Sequence, residues 1–183
     1  NKAAWDNELK TITGAYLTNV TDDVAKKMLE DMGLVYRESV NQALAYSNHL
    51  NLITRVNDTT YKALEESLKN TLANSQDYQT ALNQLPAEIR AIMNDRKGGA
   101  AVIARTEGNS FANEVIEDNY KQNGVEKQSW LSSRDAAVRE SHAWIDGETI
   151  TVGQMFSNGL RYPGDQAGDP AETVNCRCGT LPE

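Results

Sequence analysis

Cysteine, proline, histidine and positive charge are all scarce in this chain, and no long apolar run interrupts it. The two cysteines, Cys176 and Cys178, are one residue apart. Disulfide geometry does not suit an extended Cys-x-Cys, so no disulfide framework holds this chain. The pair suits a reducing compartment, a metal site or two buried thiols. No stretch approaches the roughly 20 apolar residues of a membrane-spanning helix, which excludes an integral helical membrane protein. No secretory signal stands at the start. The first residue is Asn rather than Met, so little follows from that absence. Lys and Arg number 18 against 26 Asp and Glu, a net charge of −8. A protein that neutralises phosphates needs a basic face, so direct contact with DNA is not expected. There is no phosphate-cradling glycine loop with its lysine and no Gly-x-Ser-x-Gly elbow. Internal repeats and low-complexity runs are also missing.

What is present is 183 residues, 39% of them hydrophobic. That is enough to bury a core without staples. The chain reads in two parts. Residues 1–97 carry two of the twelve glycines and one of the four prolines. Residues 98–183 carry the rest, and most of the negative excess. The first part is helix-like, the second turn-rich and mixed.

Thr21 with Asp22 and Asp23 reads as a helix start, with acids at the positive end of the dipole. Val24, Met28, Asp31, Val35 and Leu44 outline part of its stripe, and Gly33 leaves open one long helix or two shorter ones. Asn57 or Asp58 caps a segment with Tyr61, Leu64, Leu68 and Leu72 at helical spacing. Ser75 caps a third, with Tyr78, Leu82 and Leu85 inward. Pro86 fits the first turn of a fourth, running to about Asn94. Residues 99–122 form one more helix, ended by Asn123-Gly124.

Glu107 lies four residues from both Ile103 and Phe111, so a helix sets it on their apolar face. A carboxylate there is costly unless paired. It predicts a basic partner, and Arg139 and Arg177 are the candidates. Arg105 points to another side. After Gly124, residues 125–131 around Trp130 read as a strand, and Ser132-Ser133 as the cap of a short helical turn. That turn sets Asp135, Arg139 and His142 on one face. Asp146-Gly147 marks a turn, Glu148 to Val152 a short strand, and 157–172 a loop. Val174 to Leu181 reads as a final strand, with Cys176 and Cys178 on the same side.

Each sharp reading has a plain rival. His142, Cys176 and Cys178 offer three zinc ligands, with Asp135, Asp146 or Asp165 as a fourth. The plain reading is two thiols packed in the core and a histidine bonded to a carboxylate. His142 as a base oriented by Asp135, with Cys176 as nucleophile, would make a hydrolase site. A stabilising ion network is the commoner use of such a trio. His49, the other histidine, reads as a surface or capping residue, and Trp5, Trp130 and Trp144 as core anchors.

One ordered set of fragments stands out: Arg105-Thr106-Glu107, Trp130, Asp135-x-x-x-Arg139-x-x-His142, Asp146-Gly147, Phe156, Tyr162-Pro163-Gly164-Asp165 and Asn175-Cys176-Arg177-Cys178. Together they resemble the phage Mu protein F-like family, over roughly residues 55–183. These are minor head, or head-morphogenesis, proteins of tailed bacteriophages and prophages. The resemblance implies a virion component of few copies, assembled in the host cytoplasm and acting by protein contacts. The implied partners are the portal, the major capsid protein and a scaffolding protein, with no membrane and no required cofactor. It implies no catalytic residue. Some relatives carry a toxin domain after this module; with the sequence stopping at Glu183, none is expected here.

The expected fold is α+β: a helical N-terminal part, 1–97, that can dock on portal or capsid, then a small glycine-rich C-terminal module, 98–183, with a short β-sheet. Arg105, Glu107, Asp135, Arg139, His142, Asp146 and Arg177 are expected to form a structural polar cluster, with His142, Cys176 and Cys178 as candidate zinc ligands. The alternative is a phage-delivered enzyme, a hydrolase or an ADP-ribosyltransferase-like toxin, built on Glu107, Asp135, Arg139 and His142.

Overall fold

The computed structural model describes residues 3–4, 6–7, 10–11, 22–38, 45, 47–49, 58, 62–63, 66–67, 69–71, 74 and 78–183. Trp5, Thr21, Leu44, Asn57, Tyr61, Leu64, Leu68, Leu72 and Ser75 lie outside them, as do the side chains of Tyr78, Leu82, Leu85 and Pro86. The architecture is α+β. Helix α1 is Asp22–Asp31 and helix α2 is Tyr78–Gln122. Strand β1 is Lys127–Leu131, helix α3 Glu140–Trp144, strand β2 Thr149–Thr151, helix α4 Pro170–Thr173 and strand β3 Gly179–Pro182. The three strands form one antiparallel sheet in the order β2-β1-β3. Gln128 faces Ile150 on one side, and Trp130 faces Thr180 on the other.

Helix α1 buries Ala25 and Leu29, with Met28 and Met32 partly buried beside them. The spacing is i, i+3, i+4, i+7. The buried stripe is thus one step away from the expected phase, and Val24 is largely exposed. Gly33 decides the open question of length. Leu34 N–H bonds Leu29 C=O at 2.8 Å and Gly33 N–H bonds Glu30 C=O at 2.9 Å, the pair that closes a Schellman end.

The three helices expected after Ser75, at Pro86–Asn94 and at 99–122 are one from Tyr78 onward. Helix α2 has 45 residues and runs through Pro86 and Gly98-Gly99. A proline inside a helix removes one backbone bond, and each glycine costs about 1 kcal/mol relative to alanine. Those local penalties lose to the cooperative ladder and to packing of its second half, where Phe111, Val115, Ile116 and Tyr120 are buried against α1. The expected stop at Asn123-Gly124 holds. Val125 N–H reaches Tyr120 C=O at 3.0 Å and Gly124 N–H reaches Lys121 C=O at 3.3 Å. Gly124 takes φ +73°, the left-handed conformation that this end requires.

Asn119 on α2 and Asn123 just past its end hold the chain that follows α1. Asn123 donates to Val35 C=O at 2.8 Å and accepts from Val35 N–H at 3.2 Å. Asn119 accepts from Arg37 N–H at 2.7 Å. A second core lies beyond the sheet: Trp130, Ile145, Phe156, Leu160, Cys176 and Cys178. Trp130 is its centre, stacked edge-on against His142 at 5.0 Å and Phe156 at 5.1 Å. Trp144, expected in the core, is instead 77% exposed. It ends the five-residue α3, whose one buried residue is His142.

Candidate functional site

Residues 132–139 are turns rather than the expected helical turn. Arg134 takes φ +50°, and Asp135 accepts from Ala137 N–H at 2.9 Å, a local bond that competes with a helix. Arg139 becomes the N-cap of α3. Asp135, Arg139 and His142 therefore do not share a face. Asp135 pairs with Arg177 at 2.7 Å, on the surface. Arg139 donates to Val174 C=O. Asp146 accepts from Ser132 N–H at 2.8 Å and pairs with Arg134 at 2.9 Å. The Ser132 bond, with Arg134 behind it, holds Asp146 below the usual carboxylate range.

The cysteines precede β3 instead of lying in it, because the strand begins at Gly179. A turn at 174–175 aims them inward. Asn175 takes φ +60°, which asparagine tolerates better than most residues. Arg105 donates to its side-chain oxygen at 2.6 Å, and Thr106 accepts from its N–H at 2.8 Å. Asn109 and Asn113 donate to Cys178 C=O at 3.3 and 3.2 Å. The Arg-Thr fragment and the Asn-Cys-Arg-Cys fragment are thus two sides of one joint on α2.

This joint brings His142, Cys176 and Cys178 together. All three are buried, with their ligand atoms within 4.8 Å of one another. His142 Nδ1 is 3.7 Å from Cys176 Sγ and 3.5 Å from Cys178 Sγ. The thiol–thiol hydrogen bond favours ionisation of Cys178, lowering its pKa, and raises that of Cys176. His142 Nε2 lies 2.9 Å from Glu172 Oε2, close enough for an ion pair although not aligned as a hydrogen bond. Ser141 Oγ donates to the same carboxylate oxygen at 2.8 Å. Asp169 caps α4 through Ala171 N–H and so fixes Glu172 in its first turn.

Glu107 meets neither expected arginine in a hydrogen bond or ion pair. Its partner is His49, with Oε2 2.6 Å from Nδ1. His49 is fully buried, contrary to the surface role expected for it. Its Nε2 lies 3.4 Å from Glu114 Oε2. Gln166 lies against both ring nitrogens, and Phe111 stacks edge-on at 5.5 Å. Burial lowers the imidazole pKa, but the bonds to Glu107 and Glu114 and their charges outweigh it, so the pKa is raised above 6.5. A raised folded pKa gives stability that is complete below the unfolded value and lost as pH rises through the folded one. Melting temperature should therefore fall as pH climbs above 6.5. A Glu107→Gln variant should show a flatter profile over the same range, and equal slopes would exclude this pair as the source.

The Tyr162-Pro163-Gly164-Asp165 fragment docks the long loop on α2. Gly164 takes φ +82°, and a Cβ there would stand 2.9 Å from Ser110 Cα. Ser110 Oγ donates to Gly164 C=O at 2.5 Å. Asp165, buried, accepts from Arg161 Nη2 and Nε at 2.7 Å each. It also accepts from the N–H groups of Arg161 and Ala167. It is thus no free ligand for a metal.

Sequence reasoning misplaced His49 at the surface and overlooked Gln166 and Glu172. His49 had one available signal: Glu107 and Glu114 are seven apart, on one helix face, and ask for a base between them. Gln166 and Glu172 had none, since a loop decides where they land. A cavity of about 10 Å³ adjoins the His-Cys-Cys trio, lined also by Ser133, Arg139 and Arg177. A larger groove of about 530 Å³ runs along Ala63, Glu66, Ser67, Asn70, Thr71, Asn74 and Gln84, with no histidine or cysteine in it. Among the described residues no helix is long and apolar enough to cross a membrane.

The model of a family described as "Phage Mu protein F like protein" matches residues 59–181. An uncharacterized protein of Haemophilus influenzae is 29% identical over 98 residues. That alignment covers 54% of this chain and 20% of the relative, so the chain corresponds to about a fifth of the relative's length. No solved structure matches.

Proposed function

The chain belongs to the phage Mu protein F-like family, a family of phage head-morphogenesis proteins, and from that premise we propose that it is a minor head protein acting through protein contacts at the portal vertex. The observation that carries this reading is the match over residues 59–181, two thirds of the chain. In this reading residues 98–183 are the module, and the helical residues 1–97 are its docking arm, continuous with it through α2. Portal and major capsid protein are the partners, with scaffolding protein a third candidate, and the virion is the destination.

The polar residues serve this role as structural ties, not as a reaction centre. Arg105 holds the 174–175 turn, Glu107 holds His49, and Asp135 and Asp146 hold Arg177 and Arg134. An enzyme on Glu107, Asp135, Arg139 and His142 would need them to converge on a cleft. Glu107 instead bonds His49, and the cavity at His142 has room for about one water molecule.

The test is to purify heads and procapsids from the source phage with and without this gene. The chain should appear in few copies per head and crosslink to the portal, and heads made without it should package or deliver DNA poorly. Absence from both particles, or crosslinks to neither portal nor capsid, would sink the reading.

A further inference from the structure

We propose that His142, Cys176 and Cys178 bind one zinc ion, with Glu172 orienting the histidine from outside the coordination sphere. The inference stands apart from the virion reading, since it concerns what holds the module together whatever its partners are.

The distances carry it. A tetrahedral zinc with Zn–S of about 2.3 Å and Zn–N of about 2.0–2.1 Å places neighbouring sulfur and nitrogen about 3.6 Å apart. The two Sγ–Nδ1 separations are 3.5 and 3.7 Å. All three ligand atoms come from buried side chains, on a scaffold fixed at both ends. The Asn175 turn and the Asn109 and Asn113 bonds set the cysteines, and α3 sets the histidine. Zinc prefers thiolate and imidazole, so the donor set selects it over magnesium or calcium, which take oxygen.

The surroundings agree. A metal-bound histidine commonly presents its other nitrogen to a carboxylate, which fixes the ring. Here Nδ1 faces the thiols and Nε2 lies 2.9 Å from Glu172, a carboxylate itself held by Ser141. Cys178 N–H points at Cys176 Sγ at 3.5 Å, a donor suited to a thiolate. The fourth position is the cavity of about 10 Å³ beside the trio, room for one water molecule. None of Asp135, Asp146 or Asp165 fills it, for each is bonded elsewhere. Two thiolates and a neutral imidazole leave the zinc site uncharged.

The test uses the full chain, purified without chelator, for elemental analysis. The chain is then stripped and titrated with cobalt(II). One zinc per chain is expected, and cobalt should give thiolate charge-transfer bands with the visible spectrum of a tetrahedral ion. Cys178→Ser should lose both. Glu172→Gln, which keeps all three ligands, should keep the stoichiometry and bind about 10–100-fold more weakly. Wild-type chain that takes up neither zinc nor cobalt would overturn the proposal without reference to any variant. So would zinc retained undiminished by Cys178→Ser. Unchanged affinity in Glu172→Gln would remove Glu172 from the site.

Discussion

Replacing Trp130 with alanine lowers the stability of the chain by about 3–5 kcal/mol, the cost of emptying a buried tryptophan site. For a chain of this size that is a fall of roughly 6–20 °C in melting temperature, at about 2–4 °C per kcal/mol. The indole is 1% exposed and stands at the centre of the second core. It touches His142 on one side and Phe156 on another, each near-perpendicular at 74° and 79°. Its strand β1 is the middle strand of three, so the loss reaches both neighbours. Nothing nearby can swing in, because Ile145 and Leu160 are already fully packed. The control is Trp144→Ala. That ring is 77% exposed, and its removal should change stability by no more than about 0.5 kcal/mol. Thermal melts of the two variants decide it, and equal effects would mean that the core has been wrongly centred.

Asp165→Ala is the second large effect, of about 2–3 kcal/mol, since it leaves two backbone donors and the half-buried Arg161 guanidinium without their acceptor. The carboxylate is 1% exposed and accepts four hydrogen bonds, two from the Arg161 guanidinium and two from backbone N–H groups. Its removal leaves a charge and two donors unpaired in the loop that Gly164 presses onto α2. Burial alone would raise the Asp165 pKa. The Arg161 bonds and the backbone donors outweigh burial and hold it below 3.8. The contribution is therefore full above the unfolded value and lost as pH falls through the folded one. Denaturant titrations of wild type and variant should differ widely at pH 6 and converge in acid. A constant gap down to the acid transition would rule out ionisation of Asp165 as the origin.

The elements legible in the sequence are those set by neighbours along the chain. The stop at Asn123-Gly124 and the strands at β1 and β2 follow from turn chemistry and alternation within a few residues. The carboxylate of Glu107 on an apolar face asked for a basic partner, and the residue beside it is His49 rather than Arg139 or Arg177. The partner was misread because it is 58 residues away, in a segment whose own pattern gives no sign of burial. The reading of 132–139 as helix failed for a different reason. Asp135 accepts from the backbone N–H of Ala137, and that local preference is stronger than the spacing of Arg139 and His142 suggests. Cys176 and Cys178 do converge with His142, but on a left-handed turn at Asn175 rather than on a strand. Alternation put the sulfurs on one side for the wrong reason. Glu172 was illegible, because its position depends on where the 157–172 loop returns.

Asn119 and Asn123 hold the segment after α1 by its peptide groups, while Leu34 and Tyr36 pack against the first core. A side-chain amide offers a donor and an acceptor spaced like those of a peptide, so α2 treats residues 35–37 as a neighbouring strand would. Val35 keeps its side chain in solvent, 61% exposed. At Val35 the strap is consequently addressed without being spelled: the amides specify where it lies and leave that one letter open. Relatives are thus free to rewrite position 35, and to display a new side chain there to a partner, while the strap stays in place. The instruction resides in two amides at the end of α2, and the content at position 35 can vary with whatever the strap faces.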